Sequence, residues 1–155
     1  MTPTLNSFFK SIFSIHLLTK FKNLSEFVFY PEVIIYSEEL GIAGSIDVLA
    51  KDTKNDTYII IDWKTSKSIS KSSFGGRMGI HPITSHLMDC KYVHYSMQLS
   101  LYRYLIEEFY GIKVSNLLIA HLKNNECKPI VVIIINRGVI SSSLNFSRAT
   151  SVIFI

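Results

Sequence analysis

Hydrophobic and polar positions along the chain fall into patterns that predict a small α/β domain. From Leu5 to Phe21 the apolar residues Leu5, Phe9, Ile12, Phe13, Leu17 and Phe21 recur at steps of three and four, the spacing of an amphipathic helix. Phe27 to Tyr36 is dense in aromatic and β-branched residues and predicts a strand, followed by a turn at Glu38-Glu39-Leu40-Gly41. Ile42 to Ala50 predicts a second strand and Asp52 to Asp56 a hairpin connection. Tyr58 to Lys64 predicts a third strand, whose Tyr58-Ile59-Ile60-Ile61 run is too apolar for a sheet edge. Thr65 to Tyr92 reads as a Ser-, Lys- and Gly-rich loop, and a loop of that length in a compact domain is more often functional than idle. Val93 to Tyr110 carries the strongest helical pattern, with Gly111 as its C-terminal stop. Val114 to Leu122 and Pro129 to Asn136 predict two more strands, and a Ser-rich tail from Ser141 ends in Val152-Ile153-Phe154-Ile155. No internal repeat interrupts this order, which describes a mixed sheet with helices packed on it.

Composition narrows the class. The chain has 155 residues, which suits one domain over residues 1–155, with residues 141–155 a tail of unread role. Hydrophobic residues make up 48% and charged residues 18%, enough apolar material for a core and too little charge for wholesale disorder. The formal charge of +4 is compatible with nucleic acid without itself pointing there. Cys90 and Cys127 cannot make a disulfide framework or a four-cysteine metal site, and read as reduced thiols of an intracellular protein. The longest uninterrupted apolar run, Ile130 to Ile135, is far below a membrane span. The first residues lack a basic leader and a small-residue cleavage site, so no secretory signal is expected.

Candidate chemistry lies on the second and third strands. Side-chain alternation sets Asp47 opposite Ile46 and Val48, and puts Asp62 and Lys64 on one face with Ile61 and Trp63 on the other. Two carboxylates at the ends of adjacent apolar strands, with a lysine two residues beyond one of them, suit Mg²⁺, which takes one or two carboxylates and keeps waters. The lysine can hold or deprotonate a water and offset charge on a phosphate. As an isolated Asp-x-Lys the pattern is short and common, and two strand-end charges with a salt-bridge partner explain it better. On the following helix Val93, Met97, Leu101, Leu105 and Phe109 form an apolar arc that encloses Gln98 and Tyr102, with Ser96, Ser100, Arg103 and Glu107 expected outside it. A glutamine in such an arc needs hydrogen-bond partners, from the core backbone or from a site beside it.

Together, Gly44-Ser45-Ile46-Asp47, Ile59-Ile60-Ile61-Asp62-Trp63-Lys64 and Gln98 with Tyr102 resemble the Gly-x-x-Asp, Asp-x-Lys and Gln-x-x-x-Tyr motifs of the PD-(D/E)XK nucleases, in their RecB-like exonuclease branch. The segment DCKYVHYSMQLSLY is most similar to versions in large DNA viruses, which would place the protein in host cytoplasm or nucleus. The resemblance runs from about Tyr30 to Leu122 and implies a restriction-endonuclease-like mixed β-sheet flanked by helices. It implies a DNA nuclease, an exonuclease acting on single strands or duplex ends in replication, repair or recombination. Asp47, Asp62 and the Trp63 carbonyl would hold Mg²⁺, with Mn²⁺ able to substitute, and Lys64 would orient the attacking water. Gln98, Tyr102, Tyr95 and Lys67 would bind substrate, by backbone rather than bases. Glu32 resembles a glutamate that many members carry ahead of the Gly-x-x-Asp strand, and a solvated edge carboxylate explains it equally well. One departure stands out: the branch carries a metal-site histidine on an upstream helix, and His16 has no matching pattern around it. A truncated or degenerate member that binds DNA without cutting is therefore the rival expectation, and a structural domain with incidental acids is a third.

The remaining candidates are weaker. Gly75-Gly76-Arg77-Met78-Gly79 lacks the Gly-Lys-Ser/Thr ending of a phosphate-binding loop. Lys71 and Arg77 could meet phosphates, or simply be solvated. His81, His86 and Cys90 lack paired zinc-ligand spacing, while His94 is placed to line a groove beside Tyr95.

Overall fold

The computed structural model describes residues 24–123 and 126–150. The helix expected over Leu5 to Phe21, with His16, and the tail end from Val152 to Ile155 lie outside the described residues. Within them the architecture is α/β: a mixed five-stranded sheet with flanking helices. The strands are β1 (Phe27–Ser37), β2 (Ile42–Asp52), β3 (Thr57–Lys64), β4 (Val114–Lys123) and β5 (Glu126–Val131). Helix α1 (Lys91–Phe109) follows the long loop and helix α2 (Arg137–Thr150) follows β5.

Strand order in the sheet equals chain order, with β1–β2, β2–β3 and β4–β5 antiparallel and β3–β4 parallel. The parallel pair needs a crossover, and the loop plus α1 supplies it. The β2–β3 hairpin is locked by Asp52, whose Oδ1 accepts the N–H groups of Lys54 and Asn55, both at 3.0 Å, while Oδ2 accepts from the Asn55 amide at 2.7 Å. Those bonds favour the charged carboxylate and hold its pKa below the usual aspartate value, the Asn55 amide contributing most. β3 is central and β5 is an edge, the place where Pro129, which has no N–H to give a ladder, is tolerated.

The sheet has two apolar faces. Ile35, Ile46, Leu49, Ile60, Leu117 and Ile119 pack with Leu99, Leu105 and Ile106 of α1. Val48, Ala50, Ile59, Ile61, Ala120 and Cys127 form the opposite face, with Phe29 and Trp63 packed on it. Cys90 and Cys127 are both free and buried, and among the described residues no helix is long and apolar enough to cross a membrane.

Three expectations are corrected. Period-two alternation fails in β1 and β2: Phe27 and Phe29 belong to one face while Val33 and Ile35 belong to the other, and Ile46 and Val48 likewise lie on opposite faces. Both reversals flank one break in the ladder, between Pro31↔Val48 and Val33↔Ile46, across which the register is unchanged and where Glu32 adopts a left-handed φ of 53°. Second, Ser96 and Ser100 are buried, not outside the apolar arc. Their small side chains allow close approach: Ser96 Oγ donates to the Tyr92 carbonyl at 2.7 Å, and Ser100 Oγ accepts the Ile135 N–H at 2.9 Å. Third, the strand expected from Pro129 to Asn136 ends at Val131, and the Ser-rich segment after it is helical from Arg137. Asn136 starts that helix, its Oδ1 accepting the Gly138 N–H at 2.7 Å.

Candidate active site

The break in β1 and β2 is also where β2 and β3 part. Their ladder ends at Val48↔Ile61, so Trp63 has no strand partner on that side. The Asp47 carboxylate takes over, Oδ2 accepting the Trp63 N–H at 2.8 Å. A side chain thus satisfies a backbone donor that the diverging strands leave behind. It also brings the Asp47 carboxylate to the end of β3 that carries Asp62 and Lys64.

Asp62 is on the α1 side of β3 and only 5% exposed. Lys64 Nζ lies 2.6 Å from its Oδ2 but off the direction a hydrogen bond requires, so Oδ2 has an ionic neighbour and no hydrogen-bond donor. Burial raises the Asp62 pKa above the usual aspartate value; Lys64 pulls it down in part, and the charge of Asp47 adds to the rise. Lys64 divides itself among three neighbours, since it also donates to Gln98 Oε1 at 3.2 Å and sits over the Tyr95 ring at 4.7 Å from its centroid.

Gln98 is held at its other end, its Nε2 donating to the Tyr102 hydroxyl at 3.2 Å. The glutamine that the helical pattern left in need of partners finds them in a chain from Tyr102 through Gln98 to Lys64. Tyr102 in turn lies against Gly44 of β2, where a Cβ would come within 2.6 Å of the ring carbon Cε1. Only glycine admits the ring at that distance, which ties the glycine, tyrosine, glutamine and lysine into one packed unit.

The structure thus brings together Asp47, Asp62, Trp63, Lys64, Tyr95, Gln98 and Tyr102. Glu32 is exposed at the β1 break, and Lys67 is exposed on the loop. Among the described residues, no three of His, Cys, Asp and Glu gather into a metal-holding group, so the acid set here is the Asp47–Asp62 pair. A buried carboxylate oxygen without a donor, beside a second carboxylate, fits a hard divalent cation that retains several waters.

Two features escaped the sequence reading. His121 on β4 is in register with Lys64, and its buried ring lies with Nε2 2.6 Å from the Ser66 carbonyl, pinning the chain as it leaves β3. A lone histidine among strand residues gave no signal until the parallel pairing was known. Asp89 pairs with His94, Nε2 to Oδ1 at 2.9 Å, at the exposed start of α1.

No family model matches the sequence. The chain is 32% identical over 85 residues to one of the subunits of the ATP-dependent helicase/nuclease of Carboxydothermus hydrogenoformans, a match that takes in 55% of this chain. The matched part is about 6% of that relative's length. Among solved structures, SSO0001 aligns with a TM-score of 0.46 and 17% identity, over 95% of this chain and 55% of that one. A proposed exonuclease from Eubacterium rectale aligns with a TM-score of 0.42 and 16% identity, over 79% of this chain and 42% of that one.

Proposed function

We propose that this domain is a metal-dependent deoxyribonuclease of the RecB-like PD-(D/E)XK type, hydrolysing phosphodiester bonds of DNA as an exonuclease. The observation that carries this reading is the convergence of the buried Asp62 carboxylate, the Asp47 carboxylate bonded to the Trp63 N–H, and Lys64 paired with Asp62 and held by Gln98. The local likeness to part of a helicase/nuclease is consistent with it. Asp47, Asp62 and the Trp63 carbonyl would hold Mg²⁺ or Mn²⁺, which when bound activates water and stabilises charge on the phosphate. Lys64 positions the attacking water and offsets negative charge as the phosphate becomes five-coordinate. Gln98, fixed by Tyr102, holds the ammonium in place, and the Tyr95 ring lies against it, 4.7 Å from centroid to Nζ. Lys67 contacts the substrate backbone as a mobile charge, and Glu32, on the solvent side of the break, is a supporting acid.

A second reading has one observation in its favour. No third acid or histidine joins the Asp47–Asp62 pair among the described residues, which suits a domain that binds DNA without cutting it. Purified protein and end-labelled DNA separate the two. Mg²⁺ or Mn²⁺ should support degradation, while Ca²⁺, larger and less strict in geometry, should support binding with little cutting. Asp62→Asn should abolish degradation, and Lys64→Ala should slow it while leaving metal affinity by calorimetry largely intact. Cutting that persists in excess chelator, or at full rate in Asp62→Asn, removes these residues from the chemistry.

A further inference from the structure

We propose that the loop between β3 and α1 carries a binding arm for unpaired nucleic acid, in which a base stacks on Phe74 and the neighbouring cations meet the phosphates. This rests on the nuclease reading and names its substrate as a single strand. The loop leaves the candidate site directly after Lys64 and returns at the start of α1, so both its ends lie beside the site. It is not slack chain. A Met78↔Met88 bridge, the Gly79 N–H to Leu87 carbonyl bond at 2.8 Å and the Asp89 N–H to Arg77 carbonyl bond at 3.0 Å zip its two arms together. The Tyr92 N–H, bonded to the Ser70 carbonyl at 3.1 Å, ties it to the first turn of α1.

This braced arm shows large apolar side chains to solvent: Phe74 is 87% exposed and Ile80 fully so. An apolar patch held out on an ordered loop asks for an occupant, and charge selects which. The loop carries Lys67, Lys71 and Arg77 against one acid, Asp89, which favours an anionic partner. The cations are, moreover, paired with rings. Lys64 stands over Tyr95 at 4.7 Å, Lys71 over Tyr92 at 5.0 Å and Arg77 beside Phe74 at 6.0 Å. The Tyr92 and Tyr95 rings are half-buried against the core, so the pair that presents an open ring is Phe74 with Arg77, which combines the two requirements of sequence-tolerant single-strand binding: a charge for a phosphate and a flat face for a base. Duplex DNA hides its base faces and gains nothing from the rings.

The test uses the full chain in chelator, so that nothing is cut. Its probes are a short single-stranded oligonucleotide with one fluorescent aminopurine base and the blunt duplex of the same sequence. Binding of the single strand should be tighter, and should quench the aminopurine. Phe74→Ala should weaken single-strand binding about tenfold or more and relieve the quenching, with duplex affinity nearly unchanged. Phe74→Trp should retain both effects and Phe74→Leu, apolar without a stacking face, should lose them. Equal affinity for both probes, an unchanged single-strand affinity in Phe74→Ala, or concentration-dependent self-association abolished by Phe74→Ala would overturn the proposal. Metal-dependent cleavage is scored separately: stacking without cleavage would refute the hydrolase alone, and cleavage without preference or stacking would refute only the binding arm.

Discussion

Gly44 is about as far from chemistry as a residue can be, yet a single methyl there should disable the site. A Cβ on Gly44 would lie 2.6 Å from Tyr102 Cε1, 3.2 Å from Cζ and 3.4 Å from Cδ1. Carbon atoms rest at about 3.5 Å or more, so the ring must withdraw by roughly 1 Å. The Tyr102 hydroxyl is already 3.2 Å from Gln98 Nε2, and a withdrawal of that size breaks the bond. Gln98 is then free to turn, and its Oε1 releases Lys64 Nζ, now 3.2 Å away. Overpacking of this kind costs about 1–3 kcal/mol of stability. Misplacing a catalytic group by such a distance slows the reaction on the order of 100-fold.

Gly44→Ala should therefore melt several degrees below wild type and still be folded at room temperature, while the degradation of labelled DNA in Mg²⁺ that the proposed function expects should fall about ten- to a hundredfold. Tyr102→Phe supplies the control. It removes the hydroxyl without crowding, so it should lower activity with little loss of stability. In that background Gly44→Ala should still cost stability but take away little further activity, because the relay is already cut. Full activity in folded Gly44→Ala, or losses that simply multiply in the double variant, would refute the argument.

Two further outcomes follow from contacts remote from the site. Ser100→Ala leaves the buried Ile135 N–H without its acceptor and should lower stability to chemical denaturation by about 1–3 kcal/mol, whereas the exposed Ser85→Ala should change little. Asp52 has a lowered pKa, so its turn contributes stability above the unfolded-state value that is lost as pH falls through the lower folded one; Asp52→Ala should depress the melting temperature at neutral pH, and that deficit should shrink in strong acid.

Much of this architecture was legible in the sequence because local and tertiary preferences agree. The three isoleucines of β3 sit in the centre of the sheet as their unbroken run predicts, and α1 spans nearly the expected residues up to Gly111. Asp47, Asp62, Lys64 and Gln98 come together as the combined motifs suggest, although Asp47 lies in the middle of β2 and not at the strand end expected of it. Where reading failed, a tertiary contact overrode a local rule. The helical periodicity sets Ser96 and Ser100 outside the apolar arc, yet close packing against Tyr92 and the Ile135 segment needs small side chains that bond to backbone. The run from Ile130 to Ile135 reads as one strand, but after Val131 the chain leaves the edge, and Asn136 turns it into α2. Most tellingly, alternation broke down at Glu32 and Asp47, where no hydrophobicity pattern records that a strand changes faces.

That breakdown and the candidate site have one origin. Two strands that kept strict alternation would continue their ladder beyond Val48↔Ile61, and the Trp63 N–H would pair with β2 backbone, leaving Asp47 nothing to bridge. Instead the β1–β2 ladder skips the Glu32 and Asp47 pair, β2 parts from β3, and the Asp47 carboxylate accepts the Trp63 N–H in the gap. Both steps oppose folding: a left-handed glutamate costs about 1 kcal/mol or more, and burying Asp62 near a second carboxylate raises its pKa against ionisation. Such costs persist only where the surrounding core over-determines the geometry, and here Ile46, Leu49, Ile60 and Ile61 surround it on both faces of the sheet. A divalent cation between the two carboxylates would relieve the electrostatic part, so binding free energy and folding stability share the same residues. The site is thus not an addition to a finished sheet: the missing pair in the β1–β2 ladder and the parting of β2 from β3 are what bring the Asp47 carboxylate to the end of β3 that carries Asp62.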